Sequence, residues 1–199
     1  MRRSRLQDRY RCTAGSEQQQ VSCSDDVGVD HFWVVLPKCD ADVKLEQGRP
    51  VADGGVIRLR HLRTGLCLHS HDVKAHVAGK YYQKEVSCFT SDDGNDEWKV
   101  YFFQSDEEEA LLRLKHVDLA DGKYRWFLHS HGLRYPEWGG RLQEVTVCAG
   151  VDDNDLWRAR RQKSETLNLE RLVASPPTRG MTISRSTLKA VRRALGSIC

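Results

Sequence analysis

Apolar and polar positions alternate with a period of two along much of this chain. Ile57, Leu59 and His61 alternate with Val56, Arg58 and Arg60, and Leu112, Leu114 and His116 alternate with Arg113 and Lys115. Successive side chains of an extended chain point to opposite faces, so this pattern predicts half-buried strands. Short apolar runs at Leu66–Leu68 and Phe127-Leu128 each lead into a His-x-His. The runs "EVSCF" and "EVTVC" are β-branched, and "EWKVYFF" and "LWRA" predict a strand led by tryptophan. Gly, Asp, Asn and Pro cluster between these runs, which is turn chemistry.

The same features come in the same order twice: R-L-x-H, a glycine, L-H-S-H, a Gly-bearing loop, E-V, then an Asp pair leading into N-D-x-W. His69 to His129 is 60 positions, and Trp98 to Trp157 is 59. So constant an offset marks a duplicated unit. A third, partial copy lies upstream. Gln20-Val21 aligns with Glu85-Val86, Cys23 with Cys88 and Trp33 with Trp98, at an offset of 65. The front half of that copy, R-L-x-H to L-H-S-H, has no counterpart, so the chain reads as starting inside the repeat. Four strands per unit cannot bury their own apolar face. Three units together close a barrel and leave few open edges. The expected fold is therefore all-β, a β-trefoil with pseudo-threefold symmetry. Its repeats fall at about 15–36, 54–101 and 110–160, after a partly disordered 1–14 and before a basic tail at 161–199.

The repeated unit resembles the MIR repeat. That repeat is shared by protein O-mannosyltransferases, inositol trisphosphate and ryanodine receptors, and stromal-cell-derived factor 2-like proteins. The matching residues are Arg58-Leu59-Arg60-His61, Thr64-Gly65, Leu68-His69-Ser70-His71, Glu85-Val86-Ser87 and Trp98. In the next unit they are Arg113-Leu114-Lys115-His116, Leu128-His129-Ser130-His131, Gln143-Glu144-Val145 and Trp157. With little chain outside the repeats, the likeness is strongest to the stromal-cell-derived factor 2-like group. That resemblance implies a module of the endoplasmic reticulum lumen, or a secreted one. It would assist an Hsp40–Hsp70 chaperone pair, hold unfolded or glycosylated clients, and be linked to O-mannosylation control.

The chain departs from that pattern in three places. "MRRSRLQDRYRC" carries charge but no apolar run behind it, so no signal peptide is read, and a literal start would be cytoplasmic. The family often bridges the loop after the first tryptophan to a cysteine before the next repeat. Cys39 is present, but "VADGG" before Val56 holds no such cysteine. The extra residues "LADGKYRW" are expected to bulge or lengthen a hairpin.

Composition adds limits. The apolar share is 39% and the charged share 30%, a globular balance, and a net charge of +3 gives no case for nucleic acid. No run of about 18 apolar residues is present, so no membrane span is expected. Seven cysteines without a CxxC argue against a zinc ribbon or a redox dithiol. From Arg160 onward, nine Lys/Arg face two acids, and "STLKAVRRAL" predicts either a flexible extension or a short helix with Leu188, Val191 and Leu195 on one side.

Candidate chemistry starts with the His pairs. Residues i and i+2 on a strand share a face, so His69 with His71, or His129 with His131, offers two metal ligands. A third ligand is not evident, and symmetric recurrence favours a structural role in which one His packs inside and hydrogen-bonds a neighbouring carbonyl. No metal or cofactor is assigned. Trp33, Trp98 and Trp157 recur and read as core. Trp126 and Trp138 do not recur and read as exposed loop contacts. With the His pairs they form the candidate binding set. The acidic pairs Asp25-Asp26, Asp92-Asp93 and Asp152-Asp153 read as turn formers that cap their own backbone. No nucleophile elbow, phosphate loop or H-E-x-x-H is present, which argues against an enzyme. Two main readings result: a non-enzymatic secretory-pathway binding module, or the lumenal regulatory domain of a protein O-mannosyltransferase. A third, a cytosolic binder of a phosphorylated ligand, rests on Arg58, Arg60 and Arg63, although alternating Arg on a strand is ordinary solvent-facing chemistry.

Overall fold

Where the sequence alternates, the chain is extended. A computed structural model describes residues 15–24, 29–46, 48–90, 93–106, 109–117, 126–162, 181–183 and 188–191. Its strands are β1 (Gln19–Cys23), β2 (Phe32–Pro37), β3 (Val56–His61), β4 (Cys67–Lys74), β5 (Lys84–Phe89) and β6 (Trp98–Ser105). They continue with β7 (Glu109–His116), β8 (Phe127–Arg134), β9 (Gln143–Cys148), β10 (Trp157–Gln162), β11 (Met181–Ile183) and β12 (Leu188–Val191). One helical turn, Val43–Glu46, follows β2.

Six strands form a closed circuit. β2 pairs with β3, β3 with β6, β6 with β7 and β7 with β10, all antiparallel. β12 completes the circuit, parallel to both β10 and β2. Closure leaves no edge of that ring open to a stray strand. At one end, β1, β5 and β9 pair with one another in a triangle. The hairpin partners β4 and β8 flank β5 and β9 in antiparallel register, and β11 flanks β1 in parallel.

The core follows from the alternation. On β7, Leu112, Leu114 and His116 are buried while Arg113 and Lys115 are not. Trp33, Trp98 and Trp157 are shielded from solvent and share one cluster with Leu59, Leu68, Leu114 and Leu128. Trp33 sits in register with His61 and Trp98 with His116. The imidazoles meet the indoles edge-on at centroid distances of 5.1 and 4.9 Å.

Backbone strain recurs at matching places. Among the described residues, the non-glycine ones with positive φ are Glu17 (58°), Tyr82 (63°) and Arg141 (56°), separated by 65 and 59 positions. Those are the offsets of the tryptophans, so one turn geometry is built three times. Gly139, in the last of these turns, has no room for a side chain, since a Cβ there would lie 2.4 Å from Tyr135 Cβ.

Several expectations are corrected. Leu188–Val191, expected in a flexible tail or a short helix, is a strand. An isolated helix of about ten residues is marginal in water, whereas the ladder between β2 and β10 offers hydrogen bonds on both sides. Arg58, read as solvent-facing, is buried, and its Nε–H donates to Pro37 O at 2.9 Å. Arg63 is drawn to Asp30 at 2.9 Å. The N-terminal 1–14, the inserted 118–125, Asp25-Asp26 and most of the tail lie outside the described residues.

Candidate functional site

β4 and β8 deliver the His pairs to equivalent positions. His69 is buried, and its Nδ1–H donates to Asp96 Oδ1 at 2.9 Å. His129 is buried likewise and donates to Asp155 Oδ1 at 2.9 Å. Each acceptor closes a three-ten turn, Gly94–Asp96 or Asp153–Asp155, just before the tryptophan of the next strand. Asp93 and Asp152 cap those turns, accepting the N–H of Asn95 and Asn154 at 2.9 and 2.7 Å. The turn reading of the acidic pairs holds at these two positions. The third aspartate of each motif clasps the histidine, a role that local reading passed over. Asp155 also accepts the Asp152 N–H through Oδ2 at 2.8 Å, which completes a capping box.

The second histidine of each pair faces a buried carboxylate. His71 Nε2 lies 3.3 Å from Glu85 Oε2, and His131 Nε2 lies 3.7 Å from Glu144 Oε2. The rings of each pair are neighbours, with centroids 5.0 and 5.6 Å apart. The structure thus brings each His-x-His together on one side. The inner His binds a carboxylate rather than the expected carbonyl.

Glu85 and Glu144 belong to a further recurring device. Glu144 accepts the N–H groups of Val77 and Ala78 at 2.8 Å each, and Glu85 accepts the Ser16 N–H at 3.1 Å. Gln20, at the matching place on β1, donates its amide to Gly139 O at 3.3 Å. Each of these side chains reaches a loop that precedes a neighbouring member of the β1–β5–β9 triangle. Burial pushes the Glu144 carboxyl above its usual range, against the pull of the backbone N–H groups of Val77, Ala78 and His76.

Two clusters hold donor sets of the kind a metal uses: His69, Asp93 and Asp96, and His129, Asp152 and Asp155, with ligand atoms within 4.8 Å of one another. In both, the His and the inner Asp already bind each other, and the outer Asp holds its own turn. The groups satisfy one another, which is what structural clasps require.

The tryptophan candidates separate. Trp126, expected in an exposed loop, is buried in the core cluster, and its carbonyl accepts the His116 N–H at 2.9 Å. Being unrepeated does not make a residue exposed: here an irregular entry to β8 carries a core side chain. Trp138 is exposed as expected, on the turn Glu137–Gly139. It packs edge-on to His76 (4.5 Å) and beside Tyr135 (5.4 Å). Tyr81 and Tyr82, in the loop that carries His76, are also exposed. The loops 75–83 and 135–142 therefore meet through His76, Tyr135 and Trp138. The sequence signal was the dipeptide Tyr81-Tyr82 beside Lys80, which periodicity does not flag.

Among the described residues, Cys39, Cys67, Cys88 and Cys148 are free thiols, and Cys23 Sγ–H donates to Ser130 Oγ at 3.2 Å. Cys39 Sγ–H donates to Asp93 O at 3.4 Å. Burial pushes the Cys67 thiol up to about 11 and the Cys88 thiol well above its usual value.

The MIR domain family matches residues 7–157. The chain belongs to that family. A stromal cell-derived factor 2-like protein of Arabidopsis thaliana is 33% identical over 153 residues, covering 73% of this chain and 66% of that protein. A dolichyl-phosphate-mannose–protein mannosyltransferase of Candida albicans is 34% identical over 145 residues, covering 68% of this chain but 16% of the enzyme. The mannosyltransferase relatives are thus spanned over a small fraction of their length. Among solved structures, the SDF2-like protein of Arabidopsis thaliana superposes with a TM-score of 0.64 at 31% identity, covering 74% of this chain and 80% of that one. The S. cerevisiae protein O-mannosyltransferase complex bound to the sugar donor gives a TM-score of 0.62 at 25% identity, covering 24% of its chain. Among the described residues, no helix is long and apolar enough to cross a membrane.

Proposed function

We propose that this MIR domain is a β-trefoil of three units that works as a non-enzymatic binding module of the endoplasmic reticulum lumen. It holds unfolded or glycosylated polypeptide beside Hsp40–Hsp70 chaperone partners. The observation that carries this reading is extent: the chain matches most of an SDF2-like structure, but only the corresponding part of a mannosyltransferase. The three-times-built turns and the closed ring support the trefoil. In this MIR module the contact surface is the ridge of His76, Tyr81, Tyr82 and Trp138, large rings on loops held by a rigid sheet. The His-x-His strands then act as supports: their inner members are committed to Asp96 and Asp155.

The test is suppression of aggregation of a reduced, unfolded client by the full chain, alone and with the chaperone pair. The expected result is dose-dependent suppression that Trp138→Ala and Tyr82→Ala weaken without loss of fold. Suppression unaffected by both variants overturns the ridge; no suppression at all overturns the module. The second reading is a regulatory MIR domain within a mannosyltransferase, favoured by mannosyltransferases of comparable identity. It predicts that the domain, added to such an enzyme lacking its own MIR region, restores mannosyl transfer.

A further inference from the structure

β3 lies between β2 and β6, and β7 lies between β6 and β10, each antiparallel to both neighbours. β12 holds the third such place, between β10 and β2, but runs parallel to both. It is four residues long, against six for β3 and eight for β7. Parallel pairing is slightly weaker per residue, and a short ladder has fewer bonds to lose.

A second observation points to the same place. Trp98 Nε1–H donates to Leu68 O at 3.0 Å, and Trp157 Nε1–H donates to Leu128 O at 2.8 Å. Those carbonyls belong to β4 and β8, the antiparallel hairpin partners of β5 and β9. Trp33, shielded just as fully, has an Nε1–H with no acceptor among the described residues. The strand beside β1 is β11, which runs parallel. A buried donor without an acceptor is costly, and a chain running the other way beside β1 has the polarity of the strands that supply the carbonyl twice elsewhere.

We propose that the place between β2 and β10 is a strand-acceptor slot, plugged here by β12, for an extended segment of a partner polypeptide. The guest runs antiparallel to both neighbours and turns back along β1, so that its carbonyl accepts from Trp33. Its inward residues are apolar, ending in a ring against Trp157 as His61 sits against Trp33. Its outward residues are acidic, because the β10 edge carries two cations, Arg158 and Arg160, against the single carboxylate of Glu109 that pairs with both. This slot is separate from the aromatic ridge and stands or falls without it.

The probe is a labelled peptide of residues 55–71 carrying Arg58→Glu, Arg60→Glu and Cys67→Ser, titrated into the full chain by fluorescence anisotropy. The unmodified-charge peptide, with Cys67→Ser alone, is the control. The expected result is saturable binding of the acidic peptide, about tenfold tighter than the basic control at low salt. Binding should raise amide exchange at 188–191. Ala190→Pro, which blocks β12 pairing, should tighten binding about tenfold, and Trp33→Phe should weaken it about fivefold. No binding to either the full chain or Ala190→Pro overturns the slot, as does binding that leaves exchange at 188–191 unchanged. Failure of Ala190→Pro to fold makes β12 a fixed part of the ring and also overturns it. A concentration-dependent dimer that the peptide dissolves assigns the slot to a second copy and overturns the partner reading.

Discussion

The Glu144 carboxylate accepts the N–H of Ala78 at 2.8 Å, across 66 residues of chain. With Val77 N–H as its other partner, it fixes the loop 75–83 onto β9. Removing a buried acceptor leaves two backbone donors stranded, so Glu144→Ala is expected to cost about 2–4 kcal/mol. Glu144→Gln keeps one acceptor oxygen and should cost about half as much. Urea unfolding at pH 7 measures both, and a cost within 0.5 kcal/mol of zero for Glu144→Ala (a typical surface value, about ±0.5) shows the clamp to be idle.

His61 supplies the pH dependence. Its Nε2–H donates to Asp30 O at 3.3 Å, and its Nδ1 accepts the Thr64 N–H at 3.3 Å, so the second bond needs the neutral ring. Burial drives its pKa down from 6.5 to about 4, against the opposing pull of Asp30. Between those values the unfolded chain binds a proton that the folded chain refuses. Stability is therefore full above about pH 7 and falls as pH drops from 6.5 toward 4, by about 2–3 kcal/mol from this residue. Glu144 acts with the opposite sign: its raised pKa favours the folded state in acid and loses that contribution as pH rises through the folded value. His61→Gln should flatten the fall between pH 6.5 and 4, and an unchanged slope in chemical denaturation would assign the loss elsewhere.

Much of the fold was legible because period-two alternation and turn residues are local signals. β7 shows it best: the alternation of Leu112, Leu114 and His116 with Arg113 and Lys115 is the burial pattern observed. What stayed hidden depends on distant partners. Asp96 reads locally as one more turn aspartate, yet it holds His69 from 27 positions away. Arg58 alternates like a surface residue but is buried by its bond to Pro37 O. Trp126 looked like a loop residue because it has no repeat counterpart, and only the packing shows it in the core. The pairing of Leu188–Val191 depends on a place left between β2 and β10, which no window of sequence reveals.

The two His–Asp clasps should behave alike and without metal. Asp96→Ala and Asp155→Ala each leave a buried imidazole N–H without its acceptor, and each is expected to cost about 1–3 kcal/mol. Asp155→Ala should cost more, because Asp155 also accepts the Asp152 N–H. Titrating zinc into the purified chain should release no heat and raise no melting temperature. A zinc-dependent stabilisation abolished by Asp96→Ala would turn the clasp into a metal centre.

Tyr82 separates strain from contact. Its φ of 63° is unfavourable for a residue with a Cβ, and its side chain is 85% exposed, so packing does not hold it there. Glu17 and Arg141 adopt the same conformation at matching places, so the turn itself demands it. Glycine meets that demand without strain. Tyr82→Gly is therefore expected to raise stability by about 0.5–1 kcal/mol, although loosening of the unfolded chain offsets part of the gain. If the ridge holds client polypeptide, the same substitution should weaken client suppression despite the stronger fold. Thermal unfolding and the aggregation assay, run on one preparation, separate the two effects. A variant more stable and equally active removes Tyr82 from the contact surface, leaving His76 and Trp138 to carry it.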